Sequence, residues 1–463
     1  MDDRHVAPPG RARADGARIG LHADTDRLTA VLLDRSGHIR GSAHSGRTGH
    51  LGRDIGTILA QLRNTASTFA FSTVSAVTLT AQDSTDSMVS AGRLGRVASL
   101  RIGAPLTSAI PPLATWAPQL RDAVDAGSAL VAGGVEFSGA RVAPLDEKAV
   151  IEFAETVARS ADAIAITSVF SPVDPGDEIT AARLIASVSG TVPITLSHQI
   201  STLGLVEREN ATILNAALRQ SAARPSHQLR AAVAHSDLSG AECYFTQNDG
   251  TQRLAEYAER FPVFQIGSGI ADCVRGAAHL CGLRDADVAQ VNDTSITLAH
   301  LVNGYPRESL QRHLVQGVLT KFRTPETLTL PIHEPDAISA SLLRVSQRTD
   351  HLPLVAIGSH AAVIPDDIDG VDTVIRPPYA DLANAVGAAV APVGGSAERI
   401  CKGQPGSVKR DVEALTSDAR ARAILAGAAP DALQVIDVEE VPLAYLREPA
   451  VHVRVRVAGM PMN

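Results

Sequence analysis

Apolar residues recur along this chain with two periods, and the switches between them set out its elements. Short apolar runs at residues 19–21 and 30–33, parted by polar residues, predict two strands around a turn. Residues 55–62 carry apolar side chains at helical spacing and predict an amphipathic helix. Further strands are predicted at 74–80 and 97–102, then a helix over 147–161 and a buried strand at 163–170. The tract 105–118 holds four prolines and predicts a loop or a connection between subdomains. Strands alternating with helices predict an α/β sheet with helices on its faces. A second set of strands is predicted at 243–245, 289–291, 298–302 and 354–357, with Asn303-Gly304 a two-residue hairpin signal. Near the end, 435–438 predicts a strand. The period-two alternation of 451–457, V-H-V-R-V-R-V, predicts another with one wet face.

At 463 residues the chain is too long for one ordinary core, so two or three domains are expected. Apolar residues make up 45% and charged residues 20%, the balance of a soluble globular protein, and the 3% of aromatics leaves the core to Ala, Val, Leu and Ile. A net charge of -8 without a basic run gives no reason to expect nucleic acid. No apolar stretch approaches the roughly 20 residues of a membrane span, so a cytoplasmic protein is expected. Residues 1–16 are rich in Arg, Asp, Gly and Pro and read as a disordered tail rather than a signal peptide. The four cysteines are too sparse for a disulfide framework. Cys273, His279 and Cys281 invite a metal reading. On a helix over 271–283, however, the two cysteines stand about 12 Å apart and His279 points away from Cys273, so packing explains them better.

The motifs carry more. The first hairpin reads R-I-G-L at residues 18–21 and A-V-L-L-D at 30–34. F-S-P-V-D-P at 170–175 and E-R-E-N-A-T-I-L-N-A-A-L-R at 207–219 follow, with T-Q-N-D-G-T at 246–251, R-G-A-A at 275–278 and L-V-N-G-Y-P-R-E-S at 301–309. N-A-V-G-A-A at 384–389 and V-E-E-V-P-L-A-Y at 438–445 complete the series. In this order, over roughly residues 17–457, they resemble the hydantoinase/oxoprolinase family, and the likeness is to its hydantoinase A-type chains. The resemblance implies an α/β, two-lobed fold like that of actin, sugar kinases and heat-shock ATPases, with a small C-terminal α/β unit. Its expected divisions are an N-terminal lobe over 17–190, a second lobe over 191–395 and the C-terminal unit over 396–463.

It also implies a nucleotide cleft whose chemistry this chain has changed. In that fold, glycines let backbone N–H groups approach the phosphates, and carboxylates in the two hairpins hold the metal. Here the first Gly pair falls on Asp24 and Thr25 and the second on Asn292 and Asp293. The metal-holding Asp positions fall on His22, Thr29, Gln290 and Thr297. Two Gly-rich adenosine-side turns fall on 330–336 and 357–365, where Ser359 and His360 follow the one remaining glycine, Gly358; the S-G-P turn stands as Ser268-Gly269-Ile270. A carboxylate such as Asp24 about 4 Å from a phosphate charge would cost roughly 4 kcal/mol at an effective dielectric of about 20, near a thousandfold in affinity. No cofactor is therefore expected, and ATP with Mg²⁺ only if the altered cleft still binds.

The block the family keeps near its substrate falls on 80–86, where only Thr85 matches. Asp83, Asp86 and His22 are there a candidate catalytic group, or else a solvated cleft wall. His198 and Glu207 read as part of a structural charge network. Relatives of this kind are ATP-dependent ring-opening amidases acting on hydantoins or 5-oxoproline, or subunits of ATP-dependent carboxylases. The expectation is a non-catalytic or regulatory subunit in a hetero-oligomer with a hydantoinase-family partner. The alternative is a cyclic-amide hydrolase with a rebuilt, ATP-independent site.

Overall fold

The computed structural model describes residues 16–80, 89, 93–200, 204–238, 240–309, 311–345, 351–402, 405–443 and 449–462. Strands β1 (Ala17–Ala23) and β2 (Arg27–Leu33) form the first expected hairpin, in register from Arg18↔Leu33 to Ala23↔Leu28. Strand β3 (Ile39–Gly46) adds to β2, and β4 (Val74–Thr80) lies parallel to β1. Helix α1 (Leu51–Thr65) covers this sheet with Ile55, Ile58, Leu59 and Leu62, a stripe at helical spacing that is buried throughout.

Four strands then form a parallel sheet in the order β6 (Asp125–Ala132), β5 (Val97–Ala104), β7 (Ala163–Ser168), β8 (Ile194–Leu196). Every residue of β7 is buried, as a strand covered on both faces requires. Helices α2 (Pro118–Val124), α3 (Glu147–Val157) and α4 (Gly176–Ser189) belong to this unit, and turns fill the proline-rich tract up to the start of α2. Helix α5 (Leu205–Ala234) is 30 residues long and contains Pro225; the apolar pattern had not marked it as one helix. Its Glu209 pairs with Arg101 of β5, Nε to Oε1 at 2.8 Å with a second contact from the other guanidinium nitrogen, in full burial.

Strands β9 (Glu242–Thr246) and β10 (Gln252–Leu254) return to the first sheet, followed by the short helix α6 (Ala255–Ala258) and by α7 (Ser268–Cys281). The second hairpin, β11 (Ala286–Val291) and β12 (Ser295–Val302), is in register from Ala286↔Leu301 to Val291↔Ile296. Asn303 and Gly304, at φ 52° and 83°, turn β12 into the first of five short strands, β13–β17, that lie between Tyr305 and Pro325. Strand β18 (Thr327–Pro331) pairs with β12. Helix α8 (Ile338–Val345), β19 (Leu352–Ile357) and β20 (Val371–Ile375) follow, both strands joining the sheet on the β11 side.

Helix α9 (Ala383–Val390) crosses α7 between the two sheets. The crossing depends on small residues. A Cβ on Gly276 would stand 1.9 Å from the Ala383 carbonyl oxygen, one on Gly387 1.8 Å from that of Asp272, and one on Gly20 of β1 1.9 Å from that of Ala385. Backbone here packs on backbone: β1 on α9, α9 on α7, and α7 on the core shared by β11, β12 and β19. Cys273 is fully buried in that last core. This is the two-lobed, actin-like arrangement implied by the motifs.

Strands β21 (Val393–Lys402), β22 (Gln434–Pro442) and β23 (Ala450–Gly459), with α10 (Pro405–Leu425) against them, make up the C-terminal α/β unit. They extend the first sheet to nine strands, in the order β22-β23-β21-β10-β9-β4-β1-β2-β3, so this sheet crosses the divisions at 190 and 395. The join is narrow, a single register pair, Gln252↔Val393. The expected wet face of β23 is corrected: His452, Arg454 and Arg456 are 1%, 5% and 6% exposed. They stay charged-residue positions inside the protein because acids meet them there, His452 with Glu398, Arg454 with Glu308 and Arg456 with Asp249.

Candidate functional site

The strand ends that should face a nucleotide converge on the helix crossing. His22, the penultimate residue of β1, is the register partner of Thr80, the last of β4. Thr80 donates its hydroxyl to Oδ2 of Asp272 at 2.5 Å, and Asp272 sits in the second turn of α7 behind Ser268 and Gly269. From the other lobe, Gln290 of β11 donates to Asn384 of α9 at 3.2 Å, and Asn384 donates in turn to the Gly269 carbonyl at 2.8 Å. Both hairpins are thereby tied to one floor, the N-terminal half of α7 and the first turn of α9.

At the tips, side chains use the backbone amides. Asp24 accepts from the Thr25 N–H at 2.7 Å, and the Asp24 carbonyl receives Arg47. Asn292 Oδ1 accepts from the Thr294 and Ser295 N–H groups at 3.0 and 2.8 Å and from the Ser295 hydroxyl at 3.1 Å. Asp293 pairs with His360 at 3.3 Å, both at least half exposed or nearly so, and Ser359 lies beside His360, hydroxyl to Nδ1, at 3.0 Å. Gly358 has a φ of 98°, and a Cβ there would come within 2.2 Å of the Val291 carbonyl oxygen, so both its backbone and its surroundings require glycine. Among the metal positions, Thr29 contacts His44 at 3.2 Å and Thr297 contacts Thr329 at 3.4 Å, both through their side chains.

His22 is half-buried and its Nδ1 has no partner among the described residues. Burial drives its pKa down to about 4, against the pull of Asp24, so the imidazole is neutral at neutral pH. Asp83 and Asp86 lie outside the described residues. His198 is bonded to Glu178, Nδ1 to Oε2 at 2.6 Å, and Glu207 to Arg312 at 2.7 Å. Among the described residues, no group of three His, Cys, Asp or Glu side chains is placed to hold a metal ion.

Asp272 was not among the sequence candidates. It is fully buried, and burial pushes its carboxyl up to about 8, against the hydroxyls of Thr80 and Thr246 and the charge of Arg275. Among the described residues its other oxygen, Oδ1, has no hydrogen-bond partner, nor has the buried Ser268 hydroxyl one turn earlier. The folded carboxyl thus holds a proton up to about pH 8 while an unfolded one loses it near 3.8, so stability falls as pH rises through that window. Each pH unit there removes up to about 1.4 kcal/mol. Urea denaturation of Asp272→Asn should be flatter across this window than wild type, with the variant gaining its advantage on the alkaline side. Parallel profiles would refute a buried acid at this position.

Residues 59–189 match the family model described as the hydantoinase/oxoprolinase N-terminal region. An ATP-dependent caprolactamase from Pseudomonas jessenii is similar in structure, with a TM-score of 0.75 at 14% identity over 96% of this chain and 88% of that one. The nucleotide-free structure of an acetone carboxylase, titled for ATP-dependent acetone carboxylation, gives a TM-score of 0.64 at 12% identity, over 96% and 88%. At such identities the likeness is one of fold. No curated protein sequence matches the chain.

Proposed function

We propose that the chain is a member of the hydantoinase/oxoprolinase family that no longer uses ATP and serves as a non-catalytic or regulatory subunit beside a hydantoinase-family partner. One observation carries this reading: Asp24 and Asn292 accept hydrogen bonds from the hairpin-tip amides that would otherwise be open to a phosphate. A phosphate arriving there must displace an acceptor already in place and, at Asp24, meet a like charge. The positions that would hold the metal carry His22, Thr29, Gln290 and Thr297 in place of carboxylates, which weakens the hold on a cation that could offset that repulsion. Calorimetry with ATP and Mg²⁺ should show no saturable binding at the hairpins. A micromolar isotherm lost in Thr80→Val or Asn384→Ala, which disturb the floor of the cleft, would overturn the reading. Co-expression with the products of neighbouring genes, followed by sizing, should recover a hetero-oligomer; stable interfaces of about 1,200–2,000 Å² often survive such separation.

A second reading is favoured by the unpartnered Nδ1 of His22. A neutral imidazole whose strand neighbour Thr80 is bonded to the acid Asp272 has the makings of a general base. Asp83 and Asp86 follow Thr80 within six residues. In this reading the protein is a cyclic-amide hydrolase that needs no ATP. It requires turnover of a hydantoin or of 5-oxoproline, by the chain or by its complex, that His22→Ala and Asp83→Ala both abolish.

A further inference from the structure

The hairpin between β9 and β10 borders a cavity of about 270 Å³ that the cleft chemistry does not use. It opens between that hairpin, α10 and the strands of the C-terminal unit. Six of its lining side chains are Lys or Arg and three are Asp or Glu. The acids are already engaged. Glu308 lies 2.5 Å from Arg454 and 3.6 Å from Arg456, and Glu398 lies 3.3 Å from His452 and 3.9 Å from Arg323. Burial would push both carboxyls up, but the neighbouring arginines and, at Glu398, His452 outweigh it and hold each at about 2. Asp249 faces Arg456 at 3.7 Å.

Among the described residues, no carboxylate stands at ion-pair distance from Arg253, Arg260 or Arg422. Arg253 lies over Tyr257 at 5.7 Å and over Phe264 at 5.2 Å, and its buried Nε meets no acceptor among the described residues. Arg422 donates to the Ser396 carbonyl at 2.9 Å. Its pKa is lowered, first by burial and also by the nearby charge of Arg253, against Tyr257 and Asp418. Two half-buried guanidinium groups that line one cavity without a carboxylate partner among the described residues form an arrangement that an anion between them stabilises. Aromatic stacking fixes the plane of Arg253 and leaves its edge N–H groups for a planar, bidentate acceptor.

We propose that this cavity binds a small organic oxyanion, its carboxylate or phosphate group held by Arg253 and Arg422. The site is separate from the hairpin tips, so it stands whether or not the cleft binds ATP. Full-length protein titrated at low salt with succinate, benzoate and inorganic phosphate tests it by calorimetry. At least one probe should bind saturably at one site per chain. Arg253→Gln and Arg422→Gln should each weaken it by about tenfold or more, while Arg40→Gln, on an exposed arginine of β3, should leave it unchanged. Binding by phosphate alone assigns a phosphate ester, and binding by the carboxylates alone assigns an organic acid. If Arg253→Gln fails to fold, Arg253→Lys keeps the charge and loses the fork, and should still weaken binding severalfold. No saturable binding by any probe, or binding indifferent to both arginines, would overturn the proposal.

Discussion

Arg101→Ala should cost the protein about 3–5 kcal/mol, the loss expected when one member of a buried ion pair is removed and its partner stays behind. Arg101 and Glu209 are 1% and 2% exposed at their side chains, so no water replaces the missing guanidinium. The same guanidinium donates to the carbonyls of Thr107, at 3.0 Å, and Ile110, which anchors the proline-rich tract to β5. Denaturant midpoints will measure the effect. Arg101→Met combined with Glu209→Leu should recover much of the loss, since removing both charges leaves neither unpaired. A single variant within about 1 kcal/mol of wild type would show that the pair is solvated.

Gly387→Ala should be nearly as damaging, at about 3 kcal/mol, the upper part of the usual range for overpacking. The added methyl would meet the Asp272 carbonyl oxygen at 1.8 Å and its carbon at 2.5 Å, and neither is a side-chain end that could swing aside. The helices must part, taking with them the segment of α7 that carries Asp272. Gly56→Ala, in α1 with nothing within 4 Å of the new methyl, is the matched control. It should stabilise by roughly 0.5–1 kcal/mol through helix propensity. Equal effects of the two substitutions would mean that the helix crossing is looser than these distances require.

The two hairpins were legible in the sequence because each is a local pattern, an apolar run, a polar tip and an apolar run, and Asn303-Gly304 specified its own turn. The wet face assigned to β23 was an error of a different origin. Alternation of Val with His and Arg reads as one polar face, but Glu398, Glu308 and Asp249 supply buried partners that only the tertiary fold brings near. Asp272 escaped notice for the same reason. An acid among Ala271, Cys273, Val274 and Ala277 was the available signal, yet its meaning depends on Thr80, 192 residues away in the chain. The changed tips were readable from their residue types, whereas the capture of the amides by Asp24 and Asn292 depends on side-chain geometry.

The single register pair joining β10 to β21 has a consequence for the order in which the chain takes shape. Residue 252 leaves the ribosome about 140 residues before residue 393, so for that interval the outer side of β10 has no neighbour. Open strand edges invite pairing with other chains, and proteins commonly limit the danger by keeping them short. Here the waiting edge is only Gln252–Leu254, three residues long. A wider join would have given the finished sheet more hydrogen bonds and the nascent chain a longer sticky margin.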